Sequence, residues 1–355
     1  MKEWTTLLDG IKQLQLRTIP EPSGIELKDD EVLVKISRVA LNHRDAKIIN
    51  GDFGGSYKAP SNRIVPASDA SGTIVRVGGA AAAAKWRKND RVLSLMRPTH
   101  LTGPATTEAQ AAGIGIPQPG VLTKYRVFQS SGLVAIPDYM SFEDASTLPT
   151  AATTAWMALN WDRGIGSPRR GKDTVVLILG TGGVAIAGLQ QAKSLGLTVI
   201  ITSSSDAKLE RARQLGADYT INYKTITDWA TEALRITAGK GADIIFETGG
   251  PATMAQSIQC VAAGGNICAI GVLSGVTDDV QQGQANGLNL IRKNAAIKGI
   301  NVGPRDRMEE MIREVYQPQQ LHAVIDRVFA FDEAREALQY LYSGSHFGKV
   351  IIQVE

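Results

Sequence analysis

The sequence predicts an α/β chain: a doubly wound parallel sheet joined to a β-rich region. Three observations carry this. From Asp173 onward, short apolar runs alternate with helix-length stretches, the rhythm of a parallel sheet covered on both faces. The first run, Val175-Val-Leu-Ile-Leu179, leads straight into a glycine turn, Gly180-Thr-Gly-Gly-Val-Ala185. Upstream, Glu31 to Ala40 alternates apolar and polar residues with the period of a half-buried strand.

The elements follow in order. Ala70–Gly78 and Asp90–Leu95 read as further strands between Gly and Asn-Asp turns. The alanine run Ala80–Ala84 reads as an exposed surface turn ahead of Lys85 and Trp86. Arg97 to Gly120, rich in Pro, Gly, Thr and Ala, reads as a long loop of the kind that often carries function. Strand 174–179 then leads to helix 184–195, strand 198–202 to helix 206–215, and strand 219–221 to helix 226–238. Strand 243–247 leads to helix 252–262, followed by strands 265–270 and 295–300. Six strands suit a complete doubly wound domain. The tail holds helices at Arg305–Tyr316 and Asp332–Tyr342. A last strand at Lys349–Val354 is expected to rejoin the first region.

Composition narrows the function classes. The 355 residues suffice for two domains, and 38 basic against 35 acidic residues leave +3. That balance argues against a nucleic-acid or membrane-surface partner. Two cysteines, Cys260 and Cys268, make no disulfide framework and no four-cysteine zinc site. No apolar run reads as a secretory core or a bilayer span. The expectation is a soluble cytoplasmic protein.

The glycine turn points to a dinucleotide. Gly180 permits the tight turn, and Gly182 lets the backbone approach a pyrophosphate. Ala185 supplies the small residue where helix and strand pack closely. The N–H groups of Gly183 and Val184 then face the anion at a helix N-terminus. After the next strand, where an acid would hold a ribose 2′-hydroxyl, stand Ser203 and Ser204, with Lys208 about one turn on. Hydroxyls and an ammonium suit a 2′-phosphate, hence NADPH. The run Ser204-Ser205-Asp206 also fits an ordinary helix N-cap, with Lys208 a solvated lysine.

At this point the chain resembles the medium-chain dehydrogenase/reductase superfamily, in its zinc-free, quinone-oxidoreductase-like branch. The resemblance rests on Ala40-Leu-Asn-His-Arg-Asp45, Ala70–Gly78, Leu148–Leu159, the glycine turn and Phe347-Gly-Lys-Val350. It implies a β-rich GroES-like catalytic domain over 1–150 and 302–355, and a Rossmann-type dinucleotide domain over 151–301. Zinc-dependent members place Cys, His-Glu and Cys where this chain has Asn42, Ser68-Asp69 and Thr150. No metal site is therefore expected. The four histidines, His43, His100, His322 and His346, read as structural or surface residues.

The resemblance also implies site residues. Asn42 and Asp45 shape the nicotinamide and substrate pocket, and Thr154 contacts the nicotinamide-phosphate half. Tyr223 stands beside the 2′-phosphate. Gly249 and Gly250 line the adenosine side, or are turn glycines only. Gly271, Val272, Leu273 and Ser274 flank the nicotinamide ribose, and Gly348 and Lys349 close over the cofactor. Lys47 stands where related quinone reductases carry a tyrosine. It reads as a proton donor or as a solvated lysine. Phe53 occupies a position where enoyl reductases carry a donor tyrosine, and Tyr57 reads as a substitute for it or as a loop tyrosine packed for shape.

Three functions remain in view. The first is a zinc-independent NADPH-dependent quinone or enone reductase. The second is an enoyl thioester reductase of a biosynthetic pathway. The third is an NADPH-binding redox-sensing or structural protein without turnover. The resemblance implies a homodimer through the edge of the nucleotide sheet, while the sequence fits a monomer equally well.

Overall fold

The computed structural model describes residues 1–52, 60–275 and 287–355. Phe53 and Tyr57 lie outside the described residues. The chain forms two compact units, Met1–Thr153 with Val302–Glu355, and Thr154–Asn301.

The first unit is built on a seven-stranded sheet. Its order is Ile325–Ala330, Lys349–Gln353, Glu31–Leu41, Asp69–Val77, Arg91–Ser94 and Leu133–Ala135, with Tyr125–Gln129 also pairing to Glu31–Leu41. Lys349–Gln353 runs antiparallel to Glu31–Leu41 in the register Val350 opposite Leu41. Asp69–Val77 flanks the same strand on its other edge, with Ala40 opposite Asp69. One end of three adjacent strands therefore gathers Lys349, Leu41 and Asp69. The Glu31–Leu41 strand departs from strict alternation, since Val32, Leu33 and Val34 are all buried. Two register shifts along its pairing with Asp69–Val77 account for this, because each bulge re-aims the side chains after it.

Two elements of this unit differ from expectation. Ala80–Ala83 is a short helix, with Ala82 fully buried and its N–H donated to the Asp29 carbonyl. Alanine's helix propensity overrides the reading of an exposed turn. The 97–120 segment contains a helical turn, Thr107–Ala111, capped by the Thr106 hydroxyl, and it buries His100 and Ile114. A hairpin of Lys2–Thr5 and Gln15–Thr18 was not legible in the sequence. Trp4 of that hairpin donates its indole N–H to the Phe331 carbonyl at 2.7 Å.

The second unit is a six-stranded parallel sheet in the order Tyr219–Asn222, Thr198–Ser203, Val175–Leu179, Ala242–Glu247, Val261–Ala269, Ala296–Gly299. This is the doubly wound order. The inner strands bury Val176, Leu177, Ile178, Val199, Ile200, Ile244, Ile245 and Phe246 almost completely. Each such side chain contributes roughly 1.5–3 kcal/mol of burial. No helix among the described residues is long and apolar enough to cross a membrane.

Candidate active site

In the second unit, the Val175–Leu179 strand ends at Gly180, whose φ of +85° lies in the left-handed region. A side chain would strain that turn. Helix Gly183–Ser194 starts at once, with Gly182 as its N-cap and no side-chain cap hydrogen bond. The helix dipole adds partial positive charge there, and the result fits a phosphate. Ala185 is buried as expected. The tightest approach is one turn later. A Cβ on Gly188 would meet the Phe246 ring at 2.4 Å, so glycine lets this helix lie on the sheet.

Ser203 and Ser204 stand at the end of the adjacent strand, Ser203 buried and Ser204 half-buried. The Ser203 hydroxyl accepts from the Ser205 N–H at 3.3 Å. Ser205, within the Ser-Ser-Asp run read as an N-cap, caps helix Asp206–Gln214, accepting from the Lys208 N–H. Tyr223 follows the neighbouring edge strand, is 42% exposed, and donates its N–H to the Ser203 carbonyl at 3.1 Å. Ser203, Ser204, Lys208 and Tyr223 therefore cluster at two neighbouring strand ends. An acid stands beside them: Asp206 accepts from the Asn222 side chain at 2.7 Å.

The third strand end is organised by a residue that sequence reasoning missed. Glu247 is fully buried. One carboxylate oxygen accepts from Gly249 N–H at 2.8 Å, Gly250 N–H at 3.0 Å and the Thr253 hydroxyl at 2.6 Å. The other accepts from the Ser257 hydroxyl. This fixes the Gly249–Gly250 turn, where Gly250 has a φ of +90°. Thr248 ties the turn to the glycine loop by donating its hydroxyl to the Leu179 carbonyl at 2.9 Å. Leu273 and Ser274 bond back to Thr248 and Gly249 through their N–H groups. A Cβ on Gly271 would meet the Thr248 carbonyl oxygen at 2.9 Å. Val272 and Leu273 are exposed at 45% and 55%. Thr154 is buried in helix Thr153–Asn160.

In the first unit, Asn42 caps helix His43–Ile49, and its own N–H is accepted by Asp45 at 2.8 Å. Asp45 is almost wholly buried, and burial pushes its carboxyl up to about 6, against the opposing pull of Arg44. Lys349 is buried too. Its ammonium donates to the Leu41 carbonyl and to Asn42 Oδ1, both at 2.8 Å. Burial lowers its pKa, while the carboxylates of Asp69 and Asp45 pull it back up. The Asn42 Nδ2 donates to the Ser68 hydroxyl at 3.4 Å, which donates to Asp69 at 3.0 Å. Asp69 also accepts the Thr150 N–H at 3.0 Å and its hydroxyl at 2.6 Å. Asn42, Ser68, Asp69, Thr150 and Lys349 are thus one buried hydrogen-bonded network.

Other expected residues stand apart from it. Lys47 is half-buried on the same helix as Asp45, and no hydrogen bond joins it to the network among the described residues. Burial, and next the Lys47 charge, push His43 below the usual imidazole range. Gly348 has a φ of +82°, and a Cβ there would meet the Val324 carbonyl oxygen at 2.3 Å. The closeness of that backbone is what requires glycine. His322 is exposed and bonds Asp144 at 2.8 Å.

Comparison with known proteins agrees with this architecture. A model of the alcohol dehydrogenase GroES-like domain matches residues 28–138, and one of the zinc-binding dehydrogenases matches 183–317. A zinc-type alcohol dehydrogenase-like protein of Schizosaccharomyces pombe is 37% identical over 354 residues, 98% of this chain and 97% of its own. Among solved structures, a putative alcohol dehydrogenase from Sinorhizobium meliloti is 37% identical, with a TM-score of 0.83 over 99% of this chain and 98% of its own. An NAD-dependent alcohol dehydrogenase is 28% identical, with a TM-score of 0.84 over the full length of both chains. This chain belongs to the medium-chain dehydrogenase/reductase superfamily, whose oxidoreductases depend on a nicotinamide dinucleotide.

Proposed function

We propose that this oxidoreductase uses NADPH to reduce a conjugated carbonyl compound, a quinone or an enone, without a metal ion. The observation that carries the reading is the network around Asn42. Zinc takes sulfur, imidazole and carboxylate ligands and keeps one position open. Among the described residues, no three His, Cys, Asp or Glu side chains converge to hold a metal. The network's donors are an amide, hydroxyls and one carboxylate, already bonded to one another, with an ammonium among them. That set does not fit zinc, so no step is derived through it.

The cofactor residues do fit. The N–H groups of Gly182, Gly183 and Val184 at the helix N-terminus suit the pyrophosphate, and Thr154 and Gly271–Ser274 suit the nicotinamide half. Ser203, Ser204, Lys208 and Tyr223 suit the 2′-phosphate, while Asp206 is engaged by Asn222. This assigns cofactor binding to 151–301, and substrate chemistry to 1–150 with 302–355. The bound cofactor supplies hydride to a carbon conjugated with a carbonyl. Asn42 then donates an Nδ2 hydrogen to the oxygen where negative charge develops. Lys47 supplies the proton to the carbanionic carbon. The exposed edge strand Ala296–Gly299 supports pairing with a second copy of the chain.

Titration with both cofactors tests the phosphate reading: NADPH binds at least tenfold more tightly, and equal affinities refute it. An acceptor screen with metal analysis tests the rest. Turnover of quinones or enones by metal-free protein is expected, and stoichiometric zinc overturns the metal-free reading. Full turnover by Lys47→Ala removes Lys47 from the mechanism.

A second reading, NAD use, is favoured by the name of the 28% identical structure and by Asp206 at the strand end. The same titration decides it.

A further inference from the structure

Three strand ends and one helix cap meet at Asn42, and the polarity of their hydrogen bonds leaves one consistent arrangement. Lysine can only donate. The Asn42 atom 2.8 Å from the Lys349 Nζ is therefore its carbonyl oxygen. The amide nitrogen must then face Ser68, and the Ser68 hydroxyl spends its proton on Asp69. Asp69 accepts and does not donate, and Thr150 gives it two further hydrogen bonds. Donors run one way, from the ammonium to the carboxylate. Turning the Asn42 amide over would place its NH2 group against the ammonium. One Nδ2 hydrogen of Asn42 is left without an acceptor among the described residues.

We infer that Lys349 is a positioning residue, whose buried ammonium locks the Asn42 carboxamide so that this remaining hydrogen always points the same way. The inference rests on the reading above, in which that hydrogen meets the substrate oxygen. Lys349 itself is 5% exposed and already gives two hydrogens to Leu41 and Asn42. Its charge reaches the reaction through Asn42. The sheet register explains why a lysine serves here: Val350 opposite Leu41 places residue 349 beside residue 42, and Ala40 opposite Asp69 supplies the counter-charge.

The test is a double-mutant cycle on the full chain. Lys349→Met should lower kcat at least tenfold on the best acceptor, with NADPH affinity changed less than about twofold. In an Asn42→Ala background the same change should lower kcat by less than about threefold. An undiminished effect there, or full kcat in the single variant, overturns the inference. Should Lys349→Met not fold, Lys349→Met with Asp69→Asn removes both charges together and replaces it. A second measurement needs no turnover. The Asn42 side-chain amide protons should exchange slowly with solvent in the wild type, and should exchange faster and shift in the variant. Amide exchange unchanged by removing the ammonium, or already fast in the wild type, overturns the inference. If no quinone or enone is reduced by any variant, the proposed function falls, and the amide signal alone decides the role of Lys349.

Discussion

Replacing Asp45 by Asn should stabilise the protein, and by an amount that depends on pH. Burial raises the Asp45 carboxyl from 3.8 to about 6, a net figure that already includes the favourable pull of Arg44 and Lys349. One unit corresponds to about 1.4 kcal/mol. A rise of about two units means that ionised Asp45 costs the folded state about 3 kcal/mol relative to its neutral form. Between these values the folded chain binds more protons than the unfolded chain. Stability therefore falls as pH rises from about 4 to about 6, and the loss persists above that. Asparagine is a neutral copy of the same shape, and its oxygen still accepts the Asn42 N–H. Urea unfolding of both proteins at intervals from pH 4 to pH 8 measures the difference. Asp45→Asn and wild type should be nearly equal at pH 4. The variant should gain on the order of 3 kcal/mol at pH 7 and above, with roughly half of that gain present by pH 5. A difference that does not change with pH, or a wild type more stable at pH 8, refutes the claim that burial dominates at this carboxyl.

Gly188→Ala puts a methyl 2.4 Å from the Phe246 ring and should cost about 1–3 kcal/mol by overpacking, read as a lowered thermal midpoint. Glu247→Gln keeps one oxygen for the three donors of the Gly249–Gly250 turn and sets its NH2 group against the Ser257 hydroxyl, which must turn to accept. It should cost about 1–3 kcal/mol and weaken binding of the nicotinamide dinucleotide measured by fluorescence titration. Grafting Asn42→Cys, Ser68→His and Thr150→Cys together should bind no zinc while Lys349 is present, because its ammonium already occupies the cluster. Adding Lys349→Met should bring zinc content toward one per chain by elemental analysis; zinc in the triple variant would show that the lysine does not block the site.

The glycine loop was legible because its signal is local. Strand, turn and helix start follow within eleven residues of Val175 to Ala185, and each residue type answers a backbone need there. The network around Asn42 was not legible in that way. Its members stand at 42, 68, 69, 150 and 349, and the registers Val350–Leu41 and Ala40–Asp69, with the helical turn Leu148–Ala152 that carries Thr150, bring them together. Sequence spacing cannot report a register set by bulges and pairing partners. The resemblance gives Lys349 a place over the cofactor, and nothing in its local sequence points to the contacts of its ammonium with the Leu41 carbonyl and Asn42. Glu247 could have been found. An acid closing the apolar strand Ala242–Glu247 is buried and must be compensated, and Thr253 and Ser257 stand on the first turns of the next helix to do so. The helix Ala80–Ala83 shows the opposite error, in which composition read as a surface turn hid a buried contact at Ala82.

A fixed ammonium and a metal ion differ in what they can ask of a substrate. A metal binds the reacting oxygen directly and bears much of the charge that hydride transfer creates. Lys349 is enclosed, and two of its hydrogens are given to Leu41 and Asn42. In the proposed reading its influence arrives as one oriented amide N–H, an effect on the scale of a single oxyanion-hole donor, about 10²–10³ in rate. The substrate must then accommodate the rest of the charge itself. A simple ketone leaves it on one alkoxide oxygen. An enone or quinone spreads it over a conjugated enolate, so its need for outside stabilisation is smaller. The weakness of the single donor is thus the physical reason to look for the substrate among acceptors that are already electrophilic.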